Sequence, residues 1–210
     1  RALLFLLLLV LTGQSTLSQN PSITSSGRLF YVALPAIASG PNAELVVSIT
    51  AIEAGEVTVE HLGESSSVLR NLAPGETTEV RFQRPRIAVT DRRERREERR
   101  SIKVTSTGNI VVAALYDTEF LAEGWRVPPV EDWGREHRAV SLSQNNVFGS
   151  ILLVIARDDS TIVRIRPSVA TEANGLPGFE YSVVLDEGDV YQVVPKIPEL
   201  SDLSGTRIVS

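Results

Sequence analysis

From Gly27 to Val209 the apolar residues fall into short runs of strand length, many alternating with polar residues and each broken by Gly, Pro, Asn or Asp. A period of two presents one face of a strand to a core, and no segment after residue 20 keeps the 3.6-residue period of a helix over a useful length. The pattern predicts an all-β protein. Strands are expected at residues 29–34, 44–52, 56–61, 77–82, 86–89, 101–105 and 110–116, and in a second set at residues 137–142, 150–156, 161–166, 181–185, 190–194 and 207–209.

The two sets align with one another. GRLFYVAL opens at Gly27 and GREHRAVSL at Gly134, a shift of 107 (134 − 27), and Ile49 in the next strand matches Ile155 at a shift of 106 (155 − 49). LAPGETTEVRF from Leu72 then matches LDEGDVYQVV from Leu185 at 113 (185 − 72), the loop EANGLPG absorbing the larger offset. Features in one order at nearly constant spacing predict a structural unit written twice. The expected architecture is two tandem antiparallel β-sandwich units related by internal duplication, over residues 27–124 and 125–210. Within each, a tight hairpin is expected at EAGE or RDDS, and Gly75 and Gly188 are expected to supply the positive φ of a Gly-centred turn. The second set stops at TRIVS, where the first continues through TGNIVVAALY, so the second unit is expected to lack its last strand.

Composition narrows the function. The 210 residues are 42% hydrophobic and 22% charged, with a formal net charge of −5. That balance creates no field to attract nucleic acid or an anionic membrane. Residues 1–18 read as a secretory signal peptide with its initiator Met missing: Arg1 precedes the apolar ALLFLLLLVL, too short for the ~20 residues of a membrane span, and Thr16 and Ser18 offer small residues before a cut ahead of Gln19. The mature chain is expected to be secreted, with no membrane insertion after the leader is removed. It contains no Cys, so neither a disulfide nor a thiolate nucleophile is available.

As an ordered set, GRLFYVALP, ELVVSITA, SIKVTSTGNIVVAALY, the P-x-x-x-x-G of PVEDWG leading into a strand, and LSGTRIVS resemble the N-terminal domain of the IgG Fc-binding protein family, found in secreted mucus-associated and surface proteins. The resemblance runs over almost all of residues 27–210. It implies a tandem β-sandwich module within a larger multidomain chain, acting without catalysis by binding an extracellular protein or glycoprotein. An adhesin-like or glycan-binding module is the alternative, and a hydrolase the remote one. The motifs transfer no ligand-binding residue.

Catalytic, cofactor and metal residues are expected to be none. His61 and His137 are the only imidazoles, and each is expected to be a partly exposed strand residue rather than a catalytic base. Asp117, Glu119 and Glu123, or Asp158 and Asp159, lack the alternating oxygen ligands of a calcium loop. Two segments remain as candidate partner sites. DRRERREERR offers Arg92, Arg93, Arg95, Arg96, Arg99 and Arg100 as forks for anionic groups, against the expectation of a solvated, self-neutralising loop. Trp125 and Trp133 flank the segment between the two sets, either as a docking patch or, by preference, as apolar pins holding that segment down.

Overall fold

The computed structural model describes residues 25–36, 44–83, 88–89, 91, 93–117, 122–141, 150–173, 175–196 and 202–210. The leader and residues 84–87 lie outside this set, as do Arg92 and Glu119. Among the described residues the fold is all-β and every strand ladder is antiparallel, as expected, with a single short 3-10 turn. No described helix is long and apolar enough to cross a membrane.

The first half contributes β1 (Gly27–Val32), β2 (Glu44–Ala51), β3 (Gly55–His61), β4 (Ser66–Leu72), β5 (Thr77–Gln83), β7 (Ile102–Asp117) and β8 (Ala122–Val127) to one seven-stranded sheet. The two runs expected at residues 101–105 and 110–116 are one long strand, β7. The hairpin expected at EAGE does not form. β2 pairs with residues 117 to 110 of β7 and β3 with residues 106 to 102, so the chain continues in one direction past EAGE instead of reversing. At this corner Gly55 and Gly108 let two backbones approach: a Cβ on Gly55 would meet the Gly108 amide at 2.7 Å.

The long β2–β3 path and β7 therefore form a bent central pair. β5 and β8 flank its upper part, β4 and β1 its lower part. Alternate residues of both parts, including Phe30, Leu45, Val47, Ile49, Val59, Val104 and Tyr116, meet in one buried core, so the sheet curls upon itself. β4 and β8 escaped the sequence pattern because they are edge strands with mostly exposed side chains, where no apolar alternation is required.

The second half holds β9 (Glu136–Arg138), β10 (Leu152–Ile155), β11 (Thr161–Arg166), β12 (Tyr181–Leu185), β13 (Val190–Val193) and β14 (Arg207–Val209). Sheet β12-β11-β14-β9 packs through Val163, Ile165, Leu185 and Ile208 onto Tyr191 and Val193 of sheet β10-β13-β6, where β6 (Arg95–Glu97) comes from the first half of the sequence. RDDS is no hairpin either, since β10 and β11 pair in different sheets.

The two halves share a pairing scheme. β3·β4, β2·β5, β3·β7 and β1·β7 have their counterparts in β11·β12, β10·β13, β11·β14 and β9·β14. The Gly-centred turns correspond bond for bond. Gly75 N–H donates to Ala51 O and Gly188 N–H to Ala156 O, and Ala51 and Ala156 return a bond to Glu76 O and Asp189 O. In each turn the acidic fourth residue accepts from the first residue's N–H, Ala73 to Glu76 and Asp186 to Asp189. Both glycines have the expected positive φ, +81° and +80°.

Candidate interaction surfaces

The arginine-rich run is not a solvated loop. Residues 95–97 form β6 and add to the edge of β13, Arg96 facing Tyr191 in the ladder. Glu94 is buried, its carboxylate accepting from the Tyr181 hydroxyl at 2.6 Å, the Tyr191 hydroxyl at 2.9 Å and the Ala173 N–H at 3.1 Å. Burial first, and then the bond to Glu94, pushes the Tyr181 phenol far above its ordinary value. Gln192, fully buried, donates to the carbonyls of Asp91 and Arg93 and accepts from the Ala36 N–H.

The arginines divide accordingly. Arg96 pairs with Asp186 and Asp189, Arg99 donates from Nε to Leu62 O, and Arg100 from Nε to Ala88 O. Arg95 stays half-exposed beside Asp91 and Glu97, while Arg93 N–H caps onto Asp91. The expected self-neutralisation holds for Arg95, which pairs with Asp91 and Glu97, and fails for Arg96. The partners of Arg96 lie about ninety residues away in sequence, in the DEGD turn, where a local count of charges cannot see them.

That turn is the joint between the halves. Gly188 presses on Leu62, and Ser101 Oγ donates to Gly188 O at 2.9 Å. Glu187 accepts from Lys103 Nζ at 2.6 Å and from the Tyr31 hydroxyl at 2.7 Å. These two bonds, Lys103 first, hold the Glu187 carboxyl below the usual range, while burial and then Glu187 push the Tyr31 phenol up. The Ser160 N–H and Arg96 lower Asp186. Beside the joint lies a charged cleft of about 480 Å3, lined by Arg96, Arg99, Asp159, Asp186 and Asp189 among others.

The tryptophans serve different surfaces. Trp133 stacks obliquely on Tyr31 at 5.8 Å and its indole N–H reaches Pro128 O at 3.4 Å, which pins the short 3-10 turn Val130–Asp132 against β1. Trp125, on β8, is 38% exposed beside the equally exposed Leu115, over a shallow depression of about 300 Å3 that includes Ser48, Gly124 and Arg126. The histidines are likewise apart. His61 is buried, not partly exposed, and packs near Phe82 and Glu64, because the inward phase of β3 places it under the sheet. His137 is exposed and bonds Gly134 O. Among the described residues no three His, Cys, Asp or Glu converge as a metal site, and Asp158 is taken by Arg157.

A family model described as IgGFc binding protein matches residues 124–210. No curated protein and no solved structure matches the chain. The matched segment runs from within β8 to Ser210 and carries the DEGD turn together with most of the exposed apolar side chains. Ile162 and Val184 face each other across β11 and β12, both about half exposed, with Phe179 and Leu176 further along the same half. Sequence reasoning passed over this patch. Its trace was present, since Ile162 next to Val163 and Val183 next to Val184 place apolar residues on both faces of a strand pair.

Proposed function

We propose that this chain is an extracellular, non-enzymatic interaction module that binds proteins or glycoproteins, built of two tandem units related by duplication and carried in a larger secreted protein. The observation that carries this reading is the match of residues 124–210 to a family named for binding. The shared pairing scheme of the two halves supports the duplication. Binding is assigned to the outer face of β11 and β12, where Ile162 and Val184 leave apolar area in water that a protein partner would cover. The arginine run is given no part in that role, because Arg96 and Arg99 bond into the joint and Arg95 pairs with Asp91 and Glu97.

The test is binding of the immobilised chain to the Fc fragment of immunoglobulin G and to purified secreted glycoproteins, each before and after enzymatic removal of glycans. A protein partner whose binding survives both deglycosylation and raised salt, and is lost in an Ile162→Glu, Val184→Glu variant with unchanged circular dichroism, is the expected result. Binding that tracks the glycan and is lost in Trp125→Ala favours the second reading, a glycan platform on Trp125 and its shallow depression. Hydrolysis of chromogenic esters or glycosides that disappears in His137→Ala would overturn both.

A further inference from the structure

Four arginines scattered in sequence meet on the outer face of sheet β12-β11-β14-β9. Ile165 and Ile208 lie opposite each other on β11 and β14 and are buried in the core, so the flanking Arg164, Arg166 and Arg207 project from the other side of the sheet. Arg166 stands directly opposite Arg207, and Arg207 directly opposite Arg138 of β9. These three form a row across neighbouring strands that lie ~4.8 Å apart, with Arg164 the next outward residue along β11. Like charges set directly opposite one another destabilise a sheet. The row is only partly neutralised: Arg207 Nε donates to Glu136 at 2.6 Å, and Glu180 lies close enough to act on Arg207 electrostatically. Arg166 Nε donates to Gly178 O at 2.8 Å. Among the described residues the guanidinium groups of Arg138 and Arg164 make no hydrogen bond or ion pair. On a chain of formal net charge −5, this face is positive.

We propose that the row Arg166, Arg207 and Arg138, with Arg164 beside it, is a binding site for a sulfated polysaccharide. The guanidinium fork matches the oxygens of an anionic ester in pairs, and a sulfate placed between two of these arginines relieves the repulsion that the free sheet bears. A flat row of cations favours a partner that carries several anions along one chain, because every contact after the first is intramolecular. A polypeptide laid on this face would find the backbone of β11 and β14 already paired on both sides and could use only its side chains, whereas a polysaccharide carries its anions on the sugar rings. The turn that accepts from Arg166 also carries Phe179, 70% exposed, which offers apolar surface to a sugar ring at that end of the row. The site goes beyond the protein-binding reading and stands without it, since Ile162 and Val184 lie towards the other end of the face.

The test is binding of the full chain to heparin and to chondroitin sulfate over a series of salt concentrations. Binding is expected to weaken steeply as salt rises, as counterion release requires of a linear polyanion. The Arg138→Gln, Arg164→Gln variant should bind about tenfold more weakly or worse. Its melting temperature should be unchanged or raised, because a row of like charges has been thinned; a merely structural role for these arginines would lower it. Arg93→Gln, Arg95→Gln and Ile162→Ala, Val184→Ala variants should keep full binding, which separates this site from the arginine run and from the protein-binding face. Absence of binding at low salt, or full binding by the Arg138→Gln, Arg164→Gln variant, overturns the proposal. So does equal affinity for chemically desulfated chains, for polyglutamate or for a single-stranded polynucleotide.

Discussion

The APGE turn at residues 73–76 and the DEGD turn at residues 186–189 have the same backbone hydrogen bonds, the same positive-φ glycine and the same acidic fourth residue, yet they live in different surroundings. Around Gly75 a Cβ would meet nothing within 4 Å, whereas at Gly188 it would lie 2.2 Å from Leu62. Glu76 is exposed and Asp189 is 1% exposed. One piece of turn chemistry thus serves as a rim in the first half and as the joint between halves in the second. The turn itself is local, but what it touches is not.

The contrast is broken most severely at the glycines. Gly75→Ala should cost only the left-handed backbone term, ~1–2 kcal/mol, while Gly188→Ala adds overpacking of ~1–3 kcal/mol against Leu62. Denaturant unfolding should show the larger loss, and Leu62→Ala in the Gly188→Ala background should recover part of it. Equal losses at the two glycines would mean that the joint contributes nothing.

Next in size is the buried carboxylate behind the joint. Glu94→Gln sets an amide NH2 against the Ala173 N–H and should cost ~1–3 kcal/mol, with faster hydrogen exchange at β6 and β13 as its local signature. Unchanged exchange there would contradict the placement of Glu94 between Tyr181 and Tyr191.

The acidic fourth residues sharpen the comparison further. Asp189 accepts from the N–H groups of Arg99 and Asp186 and pairs with Arg96, so Asp189→Asn should lower the melting temperature clearly. Glu76→Gln, in water, should barely move it.

The smallest effect is expected from acid. Glu187 and Asp186 have carboxyls held below their ordinary values, so the stability they contribute is fully present above the unfolded carboxylate range near pH ~4. It is lost as pH falls from there through the depressed folded values. Melting curves of wild type and Lys103→Met should converge below that range and separate above it; a constant gap at all pH values would remove Glu187 from the joint.

Much of this architecture is legible along the chain. The alternation of ELVVSITA and SIKVTSTGNIVVAALY determines strands with one inward face, and Gly75 and Gly188, 113 residues apart, mark turns because only glycine enters positive φ at low cost. The shift of 106 that set Ile49 against Ile155 misses by one residue, since the ladders and turn bonds put Val154 in the place of Ile49. These are local properties, governed by sterics and by the period of side chains. Whether a strand reverses is not local: EAGE and RDDS have hairpin composition, but β2 continues beside β7 and β10 leads into a different sheet, so the ladders to distant strands override the local turn signal. Only the tertiary structure could decide that the arginine run is a strand and a joint, since Glu94, Arg96 and Arg99 find their partners on β12, β13 and the turn between them, across a separation over which sequence has no period. Charge patterning along a chain records which groups are ionised; burial and pairing depend on what the fold brings opposite them.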